Sequence, residues 1–118
     1  MYNPGKKTFI ATEALVAGRR VKLTTGNGQA VEYADEADDY IGVTLTAAAI
    51  TLPVTVALKR AYPGTVEVEA AGAITSGATI YGADDGKVST TSSGTDKYGK
   101  ALEAASGTGA LIESVMDD

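Results

Sequence analysis

The chain has no cysteine, no histidine and no tryptophan, and its one phenylalanine is Phe9. Without cysteine there can be neither a disulfide nor a thiolate metal ligand. Without histidine the commonest general base and the commonest metal ligand are both missing. An enzyme would have to work with carboxylates, Lys, Tyr, Ser or Thr, which lowers the expectation of catalysis. No apolar run approaches the roughly 18 residues of a membrane-spanning helix, so no membrane partner is expected. The opening MYNPGKK is not followed by the apolar segment of a signal peptide, because polar and charged residues return by Glu13. A product made in the cytoplasm is the expectation. No segment holds a helical period over three turns.

What remains is a 118-residue chain rich in small apolar residues, with 20 Ala against 23 Val, Leu and Ile together. One domain is the expectation at this length. A fully buried Leu or Val contributes about 1.5–3 kcal/mol and Ala far less. Such a core suits a compact β structure that gains stability from neighbours.

The net charge of −5 is unevenly spread. Lys6, Lys7, Arg19, Arg20 and Lys22 stand against Glu13 alone in residues 1–30, while Glu32, Asp35, Glu36, Asp38 and Asp39 follow with no base before Lys59. Ordinary solvated faces are one reading. The other is a basic arm or edge that meets an acidic partner surface, with the acidic loop facing away or meeting a neighbouring subunit. An acidic chain without basic–aromatic clusters is not expected to bind nucleic acid. The acidic loop Asp35–Asp39 lacks the spacing and central Gly of an EF-hand, so a solvated turn is expected rather than a metal site.

Turn signals recur every 8–12 residues and separate about nine or ten short strands, an all-β sandwich or barrel pattern. Arg20–Thr24 alternates, with Val21 and Leu23 expected inward. Thr46–Ile50 (TAAAI) is ambiguous, since alanine favours helix but the stretch is too short for a stable one. Pro53 opens the alternating Val54–Leu58, and Thr65–Glu69 places two valines on one face. The strongest local signal is the hairpin with strands Ala78–Ala83 and Lys87–Thr91, turning at Asp84-Asp85-Gly86. Asp84 and Asp85 are adjacent in that turn and are read as turn formers rather than catalytic carboxylates.

The hairpin has a fainter earlier copy. Residues 17–48 align with 76–105, matching Gly18 to Gly77, Val21 to Ile80, Val31 to Val88, Gly42 to Gly99 and Leu45 to Leu102. Gly and Ala are abundant enough for chance to compete with an internal repeat. A true repeat would have each unit cover the apolar face of the other. Gly42 and Gly99 are expected where the sheet bends or another chain comes near, and Asp85 and Gly86 at the register-setting turn.

From Tyr40 onward the sequence resembles the head-decoration (capsid cement) proteins of tailed bacteriophages. The resemblance is carried by YIGVTLTAAA (40–49), VTVALK (54–59), TVEVEAAGAITSGATIYGADDGKVSTT (65–91) and YGKALEAASGTGALIESV (98–115). Arg60-Ala61-Tyr62-Pro63 departs from it, standing where a glycine turn is commoner. The resemblance implies a small β-barrel or β-tulip, without catalysis or cofactor, assembled as homotrimers on the outer surface of a phage head. There it would clamp neighbouring major capsid protein subunits. A head-fibre base, a tail component and a β-clip binding domain are the alternatives. A protein of this kind can add an extended N-terminal arm to a capsid-protein strand edge. The expected arm is residues 1–12, ahead of a β domain over 13–118. Tyr2, Asn3, Pro4, Lys6, Lys7, Phe9 and Ile10 are its candidate capsid contacts, with Phe9 and Ile10 as apolar anchors and the lysines as charge partners.

Overall fold

The structure, a computed structural model, describes residues 5–92 and 94–116. It is all-β, with ten strands in two groups of five. The first group is β1 (Lys6–Ala11), β2 (Arg20–Thr24), β3 (Asn27–Tyr33), β4 (Gly42–Thr44) and β5 (Pro53–Leu58). These close into a barrel in the order β1-β3-β2-β4-β5, with β5 returning to pair with β1. The second is β6 (Val66–Glu69), β7 (Thr79–Gly82), β8 (Val88–Ser89), β9 (Lys97–Ala101) and β10 (Leu111–Met116), a sheet in the order β6-β10-β9-β7-β8.

The two groups use one pairing scheme. In the barrel, Ala11 pairs in parallel with Val31, and in the sheet Ala70 bridges in parallel to Val88. Leu15 and Ala48 form an antiparallel bridge, as do Ile74 and Ala105. Gly42 lies between Val21 and Leu58, and Gly99 between Ile80 and Met116. Phe9 faces Val54 and Val68 faces Ile112. The correspondence runs from β1 to β5 and from β6 to β10, a longer span than residues 17–48 and 76–105. TAAAI forms no helix, because Ala48 is held in its bridge to Leu15 by bonds of 2.8 and 2.9 Å.

Burial follows the period-2 pattern. Phe9, Ala11, Leu15, Val21, Val31, Val54 and Val56 fill the barrel. A second cluster draws Ala34, Tyr40, Val43 and Ala57 from the first group and Val66, Val68, Ile80, Tyr98 and Ile112 from the second. The apolar layer between the groups is therefore shared. Leu23 departs from its expected inward place: it is 41% exposed near the end of β2, just ahead of the β2–β3 register shift.

An arm over residues 1–12 does not describe the segment from Lys6 on. Lys6–Ile10 pairs residue by residue with Pro53–Ala57, and Ile10 and Ala11 also pair with β3. The alternation that aims Phe9 and Ala11 inward makes this segment a wall of the barrel, and the apolar surface it buries outweighs any gain from hanging free.

Candidate docking surface

The expected contact residues are split by β1. Phe9 is 4% exposed and is a core side chain, so it cannot anchor a partner while the barrel is folded. Lys6, Lys7 and Ile10 stay on the surface. The Lys7 ammonium lies 5.5 Å from the centre of the Phe9 ring. Tyr2, Asn3 and Pro4 lie outside the described residues.

Ile10 belongs to an apolar rim. It faces Pro53 across the β1–β5 ladder, and the loop leading into β5 carries Ile50 and Leu52, 58% and 53% exposed. This loop is fixed to β1 by Ala11 N–H to the Leu52 carbonyl at 3.0 Å and Thr51 N–H to the Ala11 carbonyl at 2.8 Å. Large aliphatic side chains on a firmly held loop can dock on a partner at small ordering cost. On the second group Leu111 is 50% exposed beside a cleft of about 230 Å³ lined by Gly18, Leu45, Val66 and Glu67.

The charge asymmetry of the sequence is largely used within the chain. Arg19 pairs with Glu69 through two bonds of 3.1 and 3.3 Å. Lys22 meets Asp38 at 2.9 Å, and Lys59 meets Asp39 at 2.7 Å. The acidic loop thus folds onto its own chain's cations instead of facing away. The Asp38 pKa is lowered, first by the Asp35 N–H at 2.8 Å and then by Lys22. Among the described residues Lys6 and Lys7 have no ion-pair partner, which leaves β1 with uncompensated positive charge.

The Asp-Asp-Gly turn does more than set register. Asp85 (φ 59°, ψ 32°) and Gly86 (φ 77°) both have the positive φ of a type I′ turn. The turn also docks on the barrel: Gly86 N–H reaches the Ala34 carbonyl at 2.8 Å, and Asp85 N–H reaches Asp35 Oδ1 at 3.1 Å. Asp84 Oδ1 accepts the Glu36 N–H at 3.2 Å. The turn therefore sits in a joint between the two groups, Asp84 through its carboxylate and Asp85 through its backbone N–H. Gly42 is closely approached by the Ala57 backbone, and a Cβ there would clash with the Ala57 carbonyl oxygen. Gly99 lies at a register shift between Ile80 and Tyr81, where Tyr98 is the extra residue on β9.

The residue missed by sequence pattern is Arg20. It is fully buried, although alternation puts it with Lys22 on the outer face. Its Nη2 donates to the carbonyls of Ala34, Asp35 and Ala83 at 3.3, 3.0 and 3.1 Å. Its guanidinium carbon is 5.6 Å from the centre of the Tyr40 ring, which in turn stacks on Tyr98 at 5.4 Å. Desolvation lowers the Arg20 pKa, opposed chiefly by the charge of Asp96. No local signal marks such a residue, because its acceptors are backbone groups from distant loops.

The sequence profile of the phage cement protein family matches residues 4–115. The chain belongs to that family. Membership makes it a virion component with a phage capsid as its partner. A search of curated proteins finds no match. Among solved structures it is similar to the N base of head fibre gp8.5 of bacteriophage phi29, at a TM-score of 0.77 and 22% identity. That likeness covers 95% of this chain and 92% of the other, and it shows a shared fold.

Proposed function

We propose that this cement protein is a non-enzymatic structural part that binds the outer surface of an icosahedral phage head and clamps neighbouring major capsid protein subunits. The observation that carries the reading is the family match over residues 4–115. The rim of Ile10, Ile50, Leu52 and Pro53, beside Lys6 and Lys7, is the candidate contact, because it combines exposed apolar area with unspent positive charge. Many copies on a continuous shell, in homotrimers, would gain avidity from contacts that are individually weak. The residues before Lys6 add to the contact. A second reading, the seat of a head fibre, has the shared fold with the phi29 fibre base in its favour.

The test is co-sedimentation of the purified protein with expanded empty heads that lack it. Saturable binding is expected, together with a higher disruption temperature of the decorated heads. Absence of binding at any salt concentration would refute the head-binding reading. Saturation at one site per capsomer centre, without added thermal resistance, would favour the fibre seat.

A further inference from the structure

Two strand edges are open, and they occupy corresponding places in the two groups. On β1, Thr8 faces Thr55 of β5. Thr55 spends its N–H on Thr46 Oγ1 at 3.1 Å and its carbonyl on Leu45 N–H at 2.8 Å, both away from β1. In an antiparallel pair the two facing residues either exchange both bonds or neither. The Thr8 N–H and carbonyl therefore point off the sheet. β3 does not cover them, because its pairing with β1 involves only Ile10 and Ala11. On β6, Glu67 faces Glu113 of β10 in the same way. The Glu113 N–H donates to Glu103 Oε1 at 2.7 Å and its carbonyl accepts from Leu102 N–H at 2.8 Å, so Glu67 also points its N–H and carbonyl outward. Among the described residues neither Thr8 nor Glu67 has a backbone partner. The β1 edge opens into a surface depression of about 170 Å³ beside Lys6, Lys7 and Thr8. The β6 edge opens at Thr65 and Glu67 into one of about 230 Å³ whose far wall is Gly18, Thr44 and Leu45. Gly18 closes the edge beyond Glu67 by accepting the Glu69 N–H at 2.7 Å.

The charges on the two edges are opposite. The β1 edge carries Lys6 and Lys7. The β6 edge carries Glu67, directly opposite Glu113, and like charges at facing positions are destabilising until a cation neutralises them. Open strand edges are templates for pairing with another chain. A basic edge and an acidic edge of matching form on one molecule fit each other on two molecules.

We propose that copies of this chain associate head to tail, the β1 edge of one adding to the β6 edge of the next. Thr8 and Glu67 exchange main-chain bonds across the contact, and Lys6, on the same face of β1 as Thr8, approaches Glu67 and Glu113. Such a contact is heterologous, so it builds a ring where the rotation closes and an open chain where it does not, and a three-fold rotation gives the proposed trimer. It supplies the self-contact for the proposed trimer but involves no capsid residue.

The chain's lack of cysteine makes the test specific. A hydrogen-bonded antiparallel pair holds its Cα atoms about 5.5 Å apart, inside the roughly 4.4–6.8 Å range of a disulfide. Thr8→Cys and Glu67→Cys are made singly and together, and the purified proteins are oxidised at high concentration without heads. The double variant is expected to give covalent multimers, an equimolar mixture of the single variants only heterodimers, and each single variant alone only monomers. Lys6→Glu with Lys7→Glu is expected to cut the cross-linked fraction at least tenfold. Combining that background with Glu113→Lys in the Glu67→Cys partner should restore it. Homodimers of either single variant, or no cross-linking in the mixture, overturns the proposal. Because heads are absent, that failure would leave head binding standing, and a failure to bind heads would leave this result standing.

Discussion

Arg20 Nε donates to the Lys87 carbonyl at 3.2 Å, joining the second strand of the barrel to the hairpin of the other group. With the three carbonyls held by Nη2, one side chain satisfies Ala34 and Asp35 on one side and Ala83 and Lys87 on the other. Arg20→Met removes the donor and leaves those carbonyls facing each other. Removing one partner of a buried charged network typically costs about 3–5 kcal/mol. Arg20→Lys keeps the charge but not the planar fork and should lose part of the same amount. Urea unfolding followed by far-UV circular dichroism checks both, and an unchanged midpoint for Arg20→Met would remove Arg20 from its joining role.

Gly42 and Gly28 make a matched pair for backbone approach. A Cβ at Gly42 would meet the Ala57 carbonyl oxygen, whereas at Gly28 it would meet nothing within 4 Å. Gly42→Ala should destabilise by about 1–3 kcal/mol through overpacking. Gly28→Ala should be neutral or stabilising by up to about 1 kcal/mol, because it restricts the unfolded chain. Thermal melts of the two variants give the comparison.

Tyr98 links stability to alkaline pH. Burial raises the pKa of its hydroxyl, while the bond to Ser114 Oγ at 2.7 Å and the Arg20 charge act the other way. Ser114 Oγ passes its own proton to the Val66 carbonyl at 3.0 Å, so Tyr98 is the donor in that chain. A raised folded pKa means that the unfolded state gives up its proton first. Stability from this site is complete below about pH 10, the ordinary tyrosine value, and falls as pH rises toward the folded pKa. Tyr98→Phe should cost about 0.5–1.5 kcal/mol at neutral pH and flatten the alkaline limb of a pH–stability curve. A variant with an equally steep limb would refute the assignment.

Much of the fold was legible because its signals are local. The alternation of Val54–Leu58 and Thr65–Glu69 and the positive-φ demand of Asp85-Gly86 mark strands and a turn wherever they occur. Joining contacts were not legible. Arg20 reads as a surface cation beside Lys22, and only the loops that deliver four carbonyls to it make burial favourable. The N-terminal segment misled for a related reason. Pro4, Gly5 and two lysines look like a solvated terminus, yet Phe9 and Ala11 alternate with exposed neighbours as a barrel strand requires. The open edges at Thr8 and Glu67 depend on what Thr55 and Glu113 do with their own backbone groups, and residue type does not encode that.

Phe9 and the rim of Ile50 and Leu52 separate folding from docking. Phe9→Ala opens a cavity in the barrel and should cost about 3–5 kcal/mol. It would weaken head binding only by unfolding the protein. Ile50→Asp and Leu52→Asp act on side chains already more than half exposed, so the melting temperature should barely move. If each side chain is buried against the capsid protein, the lost contact is about 1.5–3 kcal/mol, or about tenfold to a hundredfold in affinity for heads. Removing residues 1–4 leaves β1 whole, whereas removing 1–12 takes a wall out of the barrel and should abolish folding. Titrating empty heads with these variants, each with a melt of the same sample, decides where the contact lies. Undiminished binding by the doubly substituted rim variant would move the contact to the residues ahead of Lys6 or to the face around Leu111.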